Sequence, residues 1–265
     1  MANGSFTNYA ESRLLDAIFG GQSLPAFTPY LGYFLTDAGE TGPGSEPGGG
    51  NYNRVPMLPD VFTTPSAQIT QNAEDVVCPR ATANHGTVVG IGLFDSAVGG
   101  NCWVYYPSVD TEIIENRDSL VVLSGGLVHQ FLPGGYSNYL KNLILDAVYR
   151  GVPLPVFPTV YGAYYTSAPS DSMPGTEPGA GGYLRVAVAN NSANFSPTSG
   201  GIKKNATAVQ FPITSADQGS ATHFGWHTAA SGGQFLAYGP LNPPAVMGIN
   251  SQLILMVGDI QHALD

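Results

Sequence analysis

Apolar residues recur along this chain in two rhythms. Over residues 8–21, NYAESRLLDAIFGG, the side chains of Tyr9, Leu14, Leu15, Ile18 and Phe19 lie largely along one stripe of a helix. Ser5 or Thr7 is placed to cap its start, and Gly20-Gly21 supplies the left-handed residue that ends it. The same rhythm returns at Tyr139, Leu143 and Val148 and stops at Gly151. Elsewhere the pattern changes to short runs rich in Val, Tyr, Phe and Leu, bounded by Gly, Pro, Asn and Ser. Such runs at 30–36, 52–57, 88–95, 101–106 and 119–128 predict strands, with counterparts in the second half. The clearest local signal is a hairpin: IGLFDSAVGGNCWVYYP and HFGWHTAASGGQFLAYGP each set two strands around a turn with a Gly-Gly pair.

The counterparts are a tandem duplication. Residues 138–151, NYLKNLILDAVYRG, repeat residues 8–21 at an offset of 130, with Leu15, Asp16 and Ala17 falling on Leu145, Asp146 and Ala147. Further on, EPGGGNYNRV (46–55) matches EPGAGGYLRV (177–186) at seven of ten positions, at an offset of 131. Later the offset is 133, where Gly99, Gly100 and Tyr105 meet Gly232, Gly233 and Tyr238. Matches over the whole length with small steps at loops describe two copies of one domain, 1–132 and 133–265, joined at Pro133-Gly134-Gly135. One helix followed by about six or seven short strands per copy predicts a mainly β chain: two small antiparallel β-sandwich or barrel domains, each opened by a short α-helix. The Gly- and Pro-rich loops at 37–50 and 167–181 exceed ordinary connections of about four to six residues.

Charged residues are only 11% of the 265, against about 25% in a typical soluble domain. The net charge of −10 and the absence of a basic patch argue against nucleic-acid binding. A surface this short of charge points to an assembled protein. No apolar run approaches a membrane span, and the opening residues carry no basic-then-apolar export signal. Two cysteines, Cys78 and Cys102, cannot build a disulfide framework; they align with Phe211 and Phe235 and read as core positions.

The duplication also screens candidate chemistry, because a site shared by the domain's role should recur. His223 and His227 have a spacing compatible with zinc, but Gly90 and Phe94 stand at those places in the first copy. His129 and His262 do recur, each closing its copy. The acids Asp110, Glu112, Glu115 and Asp118 face NPPAVMGIN in the second copy and read as a solvated loop. No nucleophile elbow, phosphate loop or dinucleotide fingerprint is present, so no enzyme activity and no cofactor or metal is expected. The recurring Tyr52-x-Arg54 and Tyr183-x-Arg185 remain, two side chains on one face of a strand, placed to brace the preceding Gly-rich loop or to meet a partner.

The order of motifs resembles small tailed-bacteriophage structural proteins. The opening M-A-N-x-S-F-T-x-Y (Met1 to Tyr9) is followed by Y-x-G-x-F-x-T-D-x-G (Tyr30 to Gly39), E-x-x-G-G-x-Y-x-R (Glu46 to Arg54) and the segment Thr87 to Gly100, which contains G-x-F-D-x-x-x-G-G, and the chain closes on G-D-x-x-x-x-L-D (Gly258 to Asp265). Copy one reads Gly125-Gly126 in place of that last motif's start. The resemblance implies assembly in a virion made in the bacterial cytoplasm. The leading expectation is a capsid cement or decoration protein that binds the major capsid protein on the outside of the head, as a homo-oligomer such as a trimer. The alternative is a tail-associated fibre or adhesin that binds host-surface glycan.

Overall fold

The computed structural model describes residues 2–37, 39–41 and 44–264, with backbone alone at 2 and 108–111. The first copy contains β1 (Ala2–Asn3), β2 (Ser5–Phe6), α1 (Asn8–Gly20), β3 (Tyr30–Phe34), β4 (Val55–Pro56), β5 (Ile69–Gln71), β6 (Val76–Val77), β7 (Gly86–Phe94), β8 (Cys102–Ile114), β9 (Val121–Val122) and β10 (Leu127–Gln130). The second has α2 (Asn138–Arg150), β11 (Thr159–Tyr165), β12 (Val186–Ala189), β13 (Lys203–Lys204), β14 (Val209–Gln210), β15 (Ser220–His227), β16 (Phe235–Val246), β17 (Ile254–Leu255) and β18 (Gln261–His262). The chain is mainly β, as the sequence predicts. No described helix is long and apolar enough to cross a membrane.

Each copy is built on one antiparallel sheet, in the order β2-β8-β7-β3-β4 in the first and β12-β11-β15-β16 in the second. The expected hairpins are β7–β8 and β15–β16, turning through Gly99-Gly100 and Gly232-Gly233 in left-handed conformation. β8 runs on to Ile114, so Asp110 and Glu112 lie in a strand rather than in the acidic loop expected from the sequence. The Asp110 side chain falls outside the described residues.

Of the two expected caps for α1, Thr7 is the one used: its Oγ1 accepts from Ala10 N–H at 3.3 Å and donates to Cys102 O at 2.6 Å. Ser137 repeats both contacts for α2, with Leu140 N–H and Phe235 O. Gly21 and Gly151, at φ 65° and 64°, end the helices.

The helices do more than cover their own sheets. α1 lays Phe19 on His262 of the second copy, ring centroids 4.0 Å apart, and Asp16 bonds Lys203 Nζ there at 2.7 Å. In return α2 sends Tyr149 into the first copy, where its hydroxyl accepts from Tyr106 at 2.9 Å and meets His129 Nδ1 at 2.6 Å. Lys141 of α2, 1% exposed, donates to Gln68 Oε1 and Leu132 O of the first copy. One buried apolar cluster consequently runs through both copies, from Leu14 and Ile18 to Ile144 and Val148. Cys78 and Cys102 are buried free thiols, and burial pushes each up to about 12.

Candidate functional site

The recurring Tyr-x-Arg pairs each close on a glutamate at the start of their Gly-rich segment. In the first copy Arg54 forms a fork onto Glu46, Nε to Oε2 at 2.9 Å and Nη2 to Oε1 at 2.5 Å, and the Tyr52 hydroxyl donates to the same carboxylate. The remaining arginine nitrogen, Nη1, donates to Ser96 O and Gly99 O at the tip of the β7–β8 hairpin, at 2.7 and 2.6 Å. The guanidinium lies 3.3 Å over the Phe94 ring. The second copy repeats the arrangement: Arg185 forks onto Glu177, Tyr183 donates to Glu177 Oε2 at 2.7 Å, and Nη1 reaches Ala229 O and Gly232 O, both at 2.8 Å.

Both arginines are nearly buried, with side chains 6% and 9% exposed. Burial alone would raise the Glu177 carboxyl, but bonds from Arg185 and Tyr183 outweigh it and hold Glu177 below its ordinary value. Burial and the neighbouring glutamates push both tyrosines well above theirs. The result is a charge-neutral clamp with every arginine donor group engaged, tying loop to hairpin tip. It offers no free base, acid or nucleophile. The glutamates were readable beforehand, because E-x-x-x-x-x-Y-x-R recurs in both copies, yet the residues singled out were the tyrosine and the arginine.

The long loops are pinned as well. Asp37 accepts from Tyr105 OH and Asp171 from Tyr238 OH, each at 2.6 Å, while the Glu40 and Asp171 carbonyls receive the first N–H of α1 and α2. His227 and His262 are absorbed by the interior, whereas His223 is partly exposed. His227 Nε2 meets Tyr165 OH at 2.7 Å, and burial lowers it to about 4, with Arg185 adding and Glu177 opposing. His223 contacts Thr222 Oγ1. His262 accepts from Trp226 Nε1 at 3.1 Å. Among the described residues, no three His, Cys, Asp or Glu side chains gather as a metal site would require.

Two copies of one braced domain, each with the same clamp, are what a family model for this architecture should match twice. The model described as "Podophage GP4 fiber I protein gp80" matches residues 5–130 and again 135–263. The chain belongs to that family. The podophage fibre family is a family of virion structural proteins, and this member carries its domain in duplicate. A search of curated proteins gave no match.

Proposed function

We propose that this protein is a structural component of a podophage tail fibre, and that copies 1–132 and 133–265 act in it as one rigid unit. The observation that carries the reading is the fibre family's match to both copies. The sequence alone ranked head decoration first and a tail fibre second; the family description supports the second. The internal construction agrees with a mechanical part. Clamps at Glu46-Tyr52-Arg54 and Glu177-Tyr183-Arg185 hold the loops, the copies share a core, and the charged groups of the clamps are consumed by internal bonds. The reading assigns the chain no reaction of its own. It is tested by labelling purified particles with gold-conjugated antibodies raised against the protein. Label confined to the tail is the expected result, and label spread over the head returns the decoration reading.

A further inference from the structure

We infer that the cleft of the second copy accepts an extended peptide strand from a neighbouring protein, with a large apolar side chain where the chain's own internal strand has Gly4. The duplication supplies the argument, because the equivalent groove of the first copy is filled. There, between β8 and β10, β1 runs parallel to β10 with Ala2 opposite Leu127 and Asn3 opposite Val128. Gly4 N–H donates to Val128 O at 2.7 Å. The Asn3 side chain accepts from Gln130 N–H at 2.9 Å and donates to Gln130 O at 3.3 Å. Tyr106 forms the floor: a Cβ on Gly4 would sit 2.8 Å from its ring, so only glycine fits.

In the second copy the corresponding groove, between β16 and β18, is an open cleft of about 510 Å³. The caps Thr7 and Ser137 set the offset, which equates residues 2–4 with 132–134. Those residues are committed to the connection from β10: Leu132 O receives Lys141 Nζ, and Gly134 N–H donates to Asp171. Among the described residues β18 therefore pairs with β13 alone. Lys204 O accepts from Ser196 N–H, away from β18, so Lys204 and Gln261 face each other as a non-bonded pair. In an antiparallel ladder this turns the Gln261 N–H and C=O to the other edge, which borders the cleft. Gln261 corresponds to Val128, whose carbonyl Gly4 caps in the first copy.

The floors differ. Ile91 pairs with Tyr106 as Phe224 pairs with Gly239, so glycine replaces the floor ring, and a Cβ on Gly239 meets nothing within 4 Å. Phe224, Trp226 and Leu255 line the space, with the Trp226 N–H already given to His262. An open strand edge supplies main-chain bonds, and an apolar hole beside it selects a side chain, which is the chemistry of strand addition. The inference does not depend on the tail reading: particles labelled on the head would leave it standing.

The test titrates the isotope-labelled full chain with two blocked hexapeptides, Met-Ala-Asn-Leu-Ser-Phe and the chain's own Met-Ala-Asn-Gly-Ser-Phe. Amide and indole shifts are followed by NMR. The leucine peptide should shift the Gln261 amide and the Trp226 indole saturably. The glycine peptide should bind at least about tenfold more weakly, as burying a leucine side chain implies. Gly239→Tyr, which restores the first copy's floor, should abolish the leucine peptide's shifts. No saturable shift at these residues, or equal binding of the two peptides, would overturn the inference; so would unchanged binding by a folded Gly239→Tyr variant. A cleft that responds to bacterial surface oligosaccharide but not to peptide would also overturn it. Should Gly239→Tyr fail to fold, the comparison of the two peptides on the unaltered chain decides.

Discussion

Replacing Lys141 with methionine tests whether the two copies are held together by buried polar contacts as well as by apolar packing. The Lys141 ammonium donates at 2.8 Å to Asp171 Oδ2, at 2.7 Å to Leu132 O and at 2.9 Å to Gln68 Oε1. Methionine is of similar length and fills the same space, so the change is chiefly electrostatic. Removing one partner of a buried ion pair costs about 3–5 kcal/mol. Asp171 retains Tyr238 OH at 2.6 Å and Gly134 N–H at 2.9 Å, and its side chain is 11% exposed. That holds the loss near the lower end, about 3 kcal/mol. A chain of this length unfolds with an entropy of about 0.56 kcal/mol/K, so Tm should fall by about 5 °C. Arg150→Met is the control. Its pair with Asp146 lies on one helix face with both side chains 22% exposed, and its Nε makes one exposed 3.3 Å bond to Pro59 O of the first copy; together these are worth about 1 kcal/mol and should move Tm by about 2 °C. Scanning calorimetry of the three proteins makes the comparison. A Lys141→Met variant that melts with the Arg150→Met control would refute the reasoning.

Arg185→Lys keeps the charge but cannot fork onto Glu177 while reaching Ala229 and Gly232. It should cost about 2–3 kcal/mol and speed amide exchange at residues 229–233; unchanged exchange there would count against the clamp. Burial holds His129 and His262 neutral with values lowered to about 3, Lys203 adding to the effect at His262. The unfolded chain takes up protons near pH 6.5 and the native chain does not, so stability falls as pH drops from about 6.5 toward 3, by about 1.4 kcal/mol per pH unit for each histidine. Urea unfolding at pH 7, 6 and 5 should show this; His227, lowered to about 4, contributes in the same window, so His129→Gln should keep about two-thirds of the slope, and a flat profile contradicts it. Gly21→Ala suffers twice: φ is 65°, and the new Cβ would overlap the Asn190 carbonyl of the other copy. Its loss should exceed the roughly 1–2 kcal/mol of the left-handed backbone alone, which Gly39→Ala, at φ 59° in open space, isolates; equal melting temperatures for the two variants would deny the contact between copies.

The duplication made much of this fold legible. Helices, caps, hairpins and Gly-rich loops were signalled twice, and residues such as Gly21 and Gly151 have one conformational reason in each copy. The reach of each helix into the other copy was not legible, because a stripe such as Leu14, Leu15 and Ile18 tells that a face is buried and not what buries it. The hints were at buried polar positions: Lys141 and Lys203 sit on or against helices, and their partners lie up to 187 residues away. β1 was missed because two residues cannot display an alternation. Without β1, the change from Tyr106 to Gly239 reads as neutral drift between copies; with it, the same change marks an emptied groove. The clamps lay in plain view at Glu46 and Glu177, yet a carboxylate six residues before a tyrosine has no local periodicity to flag it.

The count of this chain in purified particles tests the central claim most directly. Quantitative mass spectrometry against the major capsid protein should give on the order of ten copies per particle, as the symmetry of a single tail allows. A count in the hundreds, comparable to that of the capsid protein, would contradict the fibre assignment and place the chain on the head.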